Sequence, residues 1–312
     1  MSSPLRILLV SARRDRHARQ LLAAFEVQGA QATLASLSSI GIDTDKPSGL
    51  AIPGFGDALP DAVCVRTVDG GSFEAVTRRL AVLHGLKALG VPVSNDASAI
   101  EICTDKSATS FRLKAAGLPS PWVVCAETRE AAEAALDRAG GPMVLKPLFG
   151  SQGKGLKLVR DPADLPGPED VAGGVYYLQR FAARPVGTRW TDYRILVSAG
   201  RAVAGMRREA ANWITNIKQG ATALPMVEPD GELAELAVRA AQAVGADFCG
   251  VDLLRDTEGR AQIIEVNSMP AWTGLEQATG LDIAAIRAAD LLARLKGDTR
   301  EPETIASLPR AV

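Results

Sequence analysis

The spacing of apolar and polar positions divides this chain in two. Pro4-Leu-Arg-Ile-Leu-Leu-Val10 is a compact apolar run that predicts a buried strand at 5–10. An amphipathic helix to about residue 28, strands at 32–37 and 61–66, a helix at 73–89 and a strand return at 91–94 follow. Strands alternating with helices predict a mostly parallel sheet covered on both faces. The stretch 41–60, rich in Gly, Pro and Asp, reads as a surface loop without chemistry.

Beyond Asn95 the rhythm changes. Residues 98–117 read as one helix that Gly117 and Pro119 close. Strand 121–125, helix 128–139 and strand 142–147 come next, and a glycine-rich turn leads into strand 156–159. After a loop at 161–174 come a strand at 175–181 and a pair, 192–197 with 201–206. Residues 211–220 fit neither period; helix 230–244 shows a core-facing stripe at Leu233, Leu236, Ala237, Ala240 and Val244. Two apolar runs around Thr257-Glu258-Gly259-Arg260 predict a hairpin over 248–267, and helix 283–295 precedes a loose tail at 298–312.

Composition narrows the classes. Hydrophobic residues make up 47% and charged residues 23%, and 35 Lys plus Arg against 36 Asp plus Glu leave a net charge of −1. That balance gives no general case for nucleic acid. Cys64, Cys103, Cys125 and Cys249 show no paired spacing, which disfavours a zinc site and fits a reducing compartment. His17 and His84 are too scattered for a histidine metal cluster and read as structural or solvated. No apolar run reaches the roughly 18 residues of a membrane span, so the expectation is a cytoplasmic protein without membrane contact.

The hairpin carries the first candidate chemistry. If the turn centres between Glu258 and Gly259, Asp252 sits opposite Glu265, and Asn267 points to the same face. Like charges directly opposite are destabilising, and a hard divalent cation such as magnesium would relieve them. A plain surface hairpin, or a one-residue slip that parts the acids, is the alternative. Lys146, inside Met-Val-Leu-Lys-Pro, needs a partner or a route to solvent. The following Phe149-Gly-Ser-Gln-Gly-Lys-Gly155 could be a flexible turn; its glycines also suit a nest of backbone N–H groups for a phosphate, with Ser151 and Lys154 beside it. Ser11-Ala-Arg-Arg-Asp lacks the glycine fingerprint of a dinucleotide fold.

Taken in order, Thr104-Asp-Lys, Val144-Leu-Lys-Pro, Gly150-Ser-Gln-Gly-Lys-Gly155, Asp192-Tyr-Arg194, Gly250-Val-Asp-Leu-Leu254, Glu265-Val-Asn-Ser-Met-Pro270 and Ala278-Thr-Gly-Leu-Asp-Ile283 resemble the ATP-grasp superfamily, most closely its RimK-like glutamate-ligase branch. The resemblance implies an α/β ATP-grasp fold: an N-terminal βα parallel-sheet domain at 1–94, a small central ATP-binding subdomain at 95–178, and a larger C-terminal α+β subdomain at 179–297. It implies that Lys106 and Lys146 contact nucleotide phosphates and that Gly150, Ser151, Gln152, Gly153 and Gly155 close over them. Gln179, Arg180 and Phe181 would form the hinge beside adenine, and Asp192 would approach the ribose. Asp252, Glu265 and Asn267 would hold Mg2+ or Mn2+, two ions in all, with Arg194 and Arg207 as catalytic groups near the transferring phosphoryl. Arg208, Asn216, Lys218 and Trp272 are the candidate substrate residues. Relatives usually carry an acid at the position of Arg180 and an arginine at that of Ile214, so this pocket is expected to be remodelled.

The implied activity is an ATP-dependent carboxylate–amine ligase working through an acyl phosphate and releasing ADP. It would add L-glutamate to a small acidic acceptor, a pterin- or deazaflavin-like cofactor or a peptide. A ligase for ribosomal-protein tails, a dipeptide or D-alanine-type ligase, and a non-enzymatic nucleotide-binding regulator are the rivals. Homo-oligomerisation is left open.

Overall fold

The computed structural model describes residues 3–150, 153–226 and 231–297. The expected tail at 298–312, and Ser151 and Gln152 of the glycine turn, lie outside them.

Three larger sheets organise the chain. The first is parallel, in the order Gln31–Ala35, Arg6–Val10, Ala62–Val65, Val93–Ser94. Its strands are short and apolar because helices cover both faces, as parallel sheets require. Helix Arg16–Val27 starts where the Asp15 side chain accepts from Ala18 N, and it buries Leu21 and Phe25. Helix Ile283–Leu295 joins the same core with Trp272 and Phe248, so one apolar cluster ties the beginning of the chain to its end.

The second sheet is antiparallel: Val123–Ala126, Tyr176–Arg180, Met143–Lys146, Lys157–Val159. The third runs Thr222–Pro225, Arg201–Ala210, Arg189–Ser198, Phe248–Arg255, Ala261–Asn267, with Pro185–Val186 paired to the Arg189 strand. Helix Gly231–Val244 buries the expected stripe against one face of it.

Two expectations change, and one element is added. The helix expected over 98–117 is two, Ala97–Thr104 and Lys106–Ala115, because the Asp105 carboxylate accepts from Ser107 N and Ala108 N and caps the second. The 41–60 stretch is not simply surface: it forms a small hairpin, Gly41–Ile42 with Leu50–Ala51, and buries Leu50, Ile52 and Phe55. A short helix, Thr273–Thr279, follows the last hairpin. Among the described residues no helix is long and apolar enough to cross a membrane.

Candidate active site

A cavity lies between the second and third sheets, with Gly150, Gly153 and Lys154 of the glycine turn in its lining. Its floor is one face of the third sheet, where charged residues meet across neighbouring strands. Glu265 is the cross-strand partner of Asp252, Asp252 that of Arg194, and Asp192 that of Arg208. Two-residue alternation puts Asp192 and Arg194 on one face, and the cavity confirms that this face is lined.

The arginines are engaged. Arg194 Nε and Nη2 donate to the two carboxylate oxygens of Asp252 at 2.7 Å each. Arg208 grips Asp192 in the same bidentate way, at 2.6 and 2.5 Å, and its Nη2 lies 3.2 Å from Asp252 Oδ2. Thr215 Oγ1 adds a 2.5 Å bond to Asp192, tying the 211–220 loop to the sheet. Burial alone would raise the Asp252 carboxyl, but Arg194 and Arg208 outweigh it and leave it at about 2. Asp192 moves the other way, pushed up by burial and the nearby Asp252 charge against the pull of Arg208. Gly250 makes room for this arrangement: a Cβ there would stand 3.2 Å from Pro270 Cβ and 3.6 Å from Arg194 Cδ.

Glu265 lacks the arginine that Asp252 has; its side chain has no hydrogen-bond or ion-pair partner among the described residues. Asn267, opposite Gly250, buries Nδ2 with nothing bonded to it. An amide so placed offers its oxygen when turned over. No group of three or more His, Cys, Asp or Glu residues among those described is placed for a metal. The set is two carboxylates and one amide, all on the cavity wall, and the orphaned amide beside them fits a hard cation.

Lys146 faces this pair from the second sheet. Its Nζ donates to Gln179 Oε1 at 2.6 Å, and burial takes its ammonium down to about 8, with Glu265 pulling upward. Lys106, first residue of its helix, donates to Gly150 O at 2.8 Å and Leu148 O at 3.3 Å, so it holds the foot of the glycine turn. Gly153 adopts φ +69, and a Cβ there would meet Gln219 Nε2 at 2.7 Å and Ile214 Cγ2 at 3.0 Å. The turn thus closes on the 211–220 loop by backbone contact that only glycine allows. Lys154 joins the lining beside it.

At the hinge, Val144, Leu254 and Ile264 make an apolar slot beside Gln179. The Arg180 guanidinium lies 5.4 Å from the Trp122 ring and its Nη2 donates to Ala139 O at 3.4 Å. Phe181 packs against Trp190 and Trp213 at ring distances of 5.8 and 5.7 Å, and all three line the cavity. Asn216 also lines it, its Oδ1 accepting from Lys218 N.

Four expected residues lie elsewhere. Arg207 alternates away from Arg208, is half exposed, pairs with Glu209 at 2.7 Å and does not line the cavity. Lys218 is exposed outside it. Trp272 is fully buried, edge-on to His17 and Phe248, in the core that joins the first sheet to the third. Gly155 sits behind the lining, against Pro147. Sequence reasoning missed Trp190 and Thr215; for Trp190, its position two residues before Asp192 was the available signal.

Residues 103–291 match the RimK-like ATP-grasp domain. A tetrahydromethanopterin:alpha-L-glutamate ligase of Methanosarcina acetivorans is 33% identical over 256 residues, covering 72% of this chain and 77% of that one. A protein of Maridesulfovibrio salexigens named "Probable alpha-L-glutamate ligase" is 32% identical over 210 residues, covering 65% and 68%. Among solved structures, the ATP-grasp ligase PsnB complexed with minimal precursor, Mg and ADP superimposes with a TM-score of 0.70 at 21% identity, over 93% of this chain and 98% of that one. That last likeness speaks to the fold.

Proposed function

Because this chain belongs to the RimK-like ATP-grasp family of ligases, we propose that it joins L-glutamate through its amine to the carboxylate of a small pterin-like cofactor, consuming ATP and releasing ADP and phosphate. The carrying observation is the charge row across the third sheet, with Lys146 and Lys106 on the opposite wall. The names of the relatives support glutamate and a pterin acceptor.

A carboxylate attacking a γ-phosphate brings two anions together, so the site must neutralise and align them. Magnesium, when bound by Asp252, Glu265 and Asn267, supplies part of that neutralisation. Lys146, buried and cationic in neutral solution, adds to it from the other wall. Arg194 and Arg208 carry their charge to the edge of the same carboxylate cluster and hold it with fixed geometry. The slot of Val144, Leu254 and Ile264 suits adenine, and the glycine turn, closed on Ile214 and Gln219, keeps water from an acyl phosphate. Arg180, turned to Trp122, would contribute its backbone to the hinge and not its side chain.

The test supplies ATP, Mg2+ and L-glutamate with a reduced pterin bearing a carboxylate side chain, a deazaflavin carboxylate, a short acidic peptide or a second amino acid. Phosphate release and the product's mass are measured. Amide formed on the pterin supports the reading; a product made only from two free amino acids replaces it with dipeptide ligation.

A further inference from the structure

Asn95 is 1% exposed and lies outside the cavity, yet its side chain makes four hydrogen bonds to the ends of the two strands that carry the metal-ligand candidates and the residues just beyond them. Its Oδ1 accepts from Asp247 N at 2.7 Å and Phe248 N at 2.9 Å. Its Nδ2 donates to Phe248 O and Ser268 O, each at 2.6 Å. The amide's two protons and both sites on its oxygen are thereby used. Phe248 begins the strand that holds Asp252, and Ser268 directly follows Asn267.

We infer that Asn95 is a positioning residue for Asn267 and Asp252, acting on magnesium without touching it. The inference rests on the metal reading above. The physical case is that an amide ligand has little charge to attract a cation, so its usefulness depends on where its backbone is fixed. Asn267 ends its strand, and beyond it the chain turns through Ser268, Met269 and Pro270 toward the Thr273–Thr279 helix. Its pairing to Gly250 holds it from the neighbouring strand, and the Asn95 bond to Ser268 O holds the next residue. The same side chain pins Phe248, so one group ties together the two chain segments that run past the end of the ladder. Asn95 itself is the first residue after the strand Val93–Ser94, and the Ser94 carbonyl accepts from Arg287 Nη2 at 3.4 Å. The anchor therefore belongs to the first sheet while its load is in the third. Partners behind a metal ligand typically change metal affinity by 10–100-fold when removed.

The experiment uses the full chain and ADP as probe. Calorimetry gives ADP affinity in EDTA and across a magnesium titration for the wild type, Asn95→Ala and Asn95→Ser. Serine is neutral and keeps a hydroxyl able to donate to one of the two carbonyls, so it reports if the alanine variant fails to fold. The expected result is a magnesium midpoint raised about tenfold or more, with ADP affinity in EDTA unchanged. A lower melting temperature with the wild-type magnesium midpoint would make Asn95 merely structural and overturn the inference. Wild-type ADP binding indifferent to magnesium would instead sink the metal reading itself.

Discussion

Asp252 and Glu265 stand directly opposite each other across the last hairpin, and the pairing exists only because Ile264 bulges. Nearer the turn Leu253 faces Ile263, and the extra residue shifts the register before the acids are reached. Arg194 neutralises Asp252 from its other side, which leaves Glu265 facing Lys146. Arg194→Met therefore uncovers a largely buried carboxylate that Arg208 only partly compensates. The expected cost is about 2–3 kcal/mol in denaturant unfolding, with ligation reduced at least about 100-fold. A variant as stable and as active as the wild type would show the pair to be idle.

Two adjacent arginines should behave differently. Arg208→Ala breaks the bidentate hold on Asp192 and the contact with Asp252, and turnover should fall by about 100-fold or more. Arg207→Ala removes a half-exposed ion pair with Glu209, and stability should stay within about 0.5 kcal/mol with turnover near wild type. Steady-state kinetics on both settles it; the reverse pattern would place the wrong arginine in the site.

Lys146→Met deletes the ammonium and leaves Gln179 Oε1 without its donor. ADP affinity is expected to drop at least about tenfold, since a buried charge-assisted contact is worth roughly 1.5–3 kcal/mol. Fluorescence or calorimetric titration with ADP reads this directly, and unaltered affinity would remove Lys146 from the phosphate site.

Trp272→Ala should act on folding and not on substrate. The ring fills the junction between the first and third sheets, and its loss is expected to cost about 3–5 kcal/mol, with KM for glutamate and acceptor unchanged in the folded fraction. A large KM effect with intact stability would return Trp272 to the substrate pocket.

His17 predicts an acid-side loss of stability. Burial, reinforced by the Arg66 charge, takes it from 6.5 down to about 4, with Asp15 opposing. The unfolded chain then takes up a proton that the folded one refuses, so stability falls as pH drops from about 6.5 to 4 and is flat above. The full drop is at most about 3 kcal/mol. His17→Gln should flatten that part of the pH profile, measured by urea unfolding; an unchanged slope would clear His17 of the role.

How much of this could be read beforehand depended on register. The hairpin, the lysine strand and the glycine turn are visible as apolar runs and turn residues. Asp252 opposite Glu265 was also legible, although by a count that placed the turn slightly late; the Ile264 bulge makes good the difference. The second hairpin went the other way. Ser198 pairs with Arg201, and an unbroken ladder from there would set Arg207 opposite Asp192. A shift between Leu196 and Val197 sets Arg208 there instead. A bulge leaves no mark in an alternating pattern of apolar residues, so the choice between neighbouring arginines was out of reach. The break at Asp105 was legible in principle, because Asp followed by Lys-Ser is a capping pattern. Trp272 misled because burial across two sheets is a tertiary fact.

The most direct measurement is the nucleotide balance of the complete reaction, with ATP, Mg2+, L-glutamate and a reduced pterin carboxylate, in wild type and Glu265→Gln. The wild type should yield ADP, phosphate and glutamylated pterin in equal amounts, and the variant should lose at least about 100-fold in rate while remaining folded. AMP and pyrophosphate in place of ADP, or full turnover in Glu265→Gln, would contradict the account.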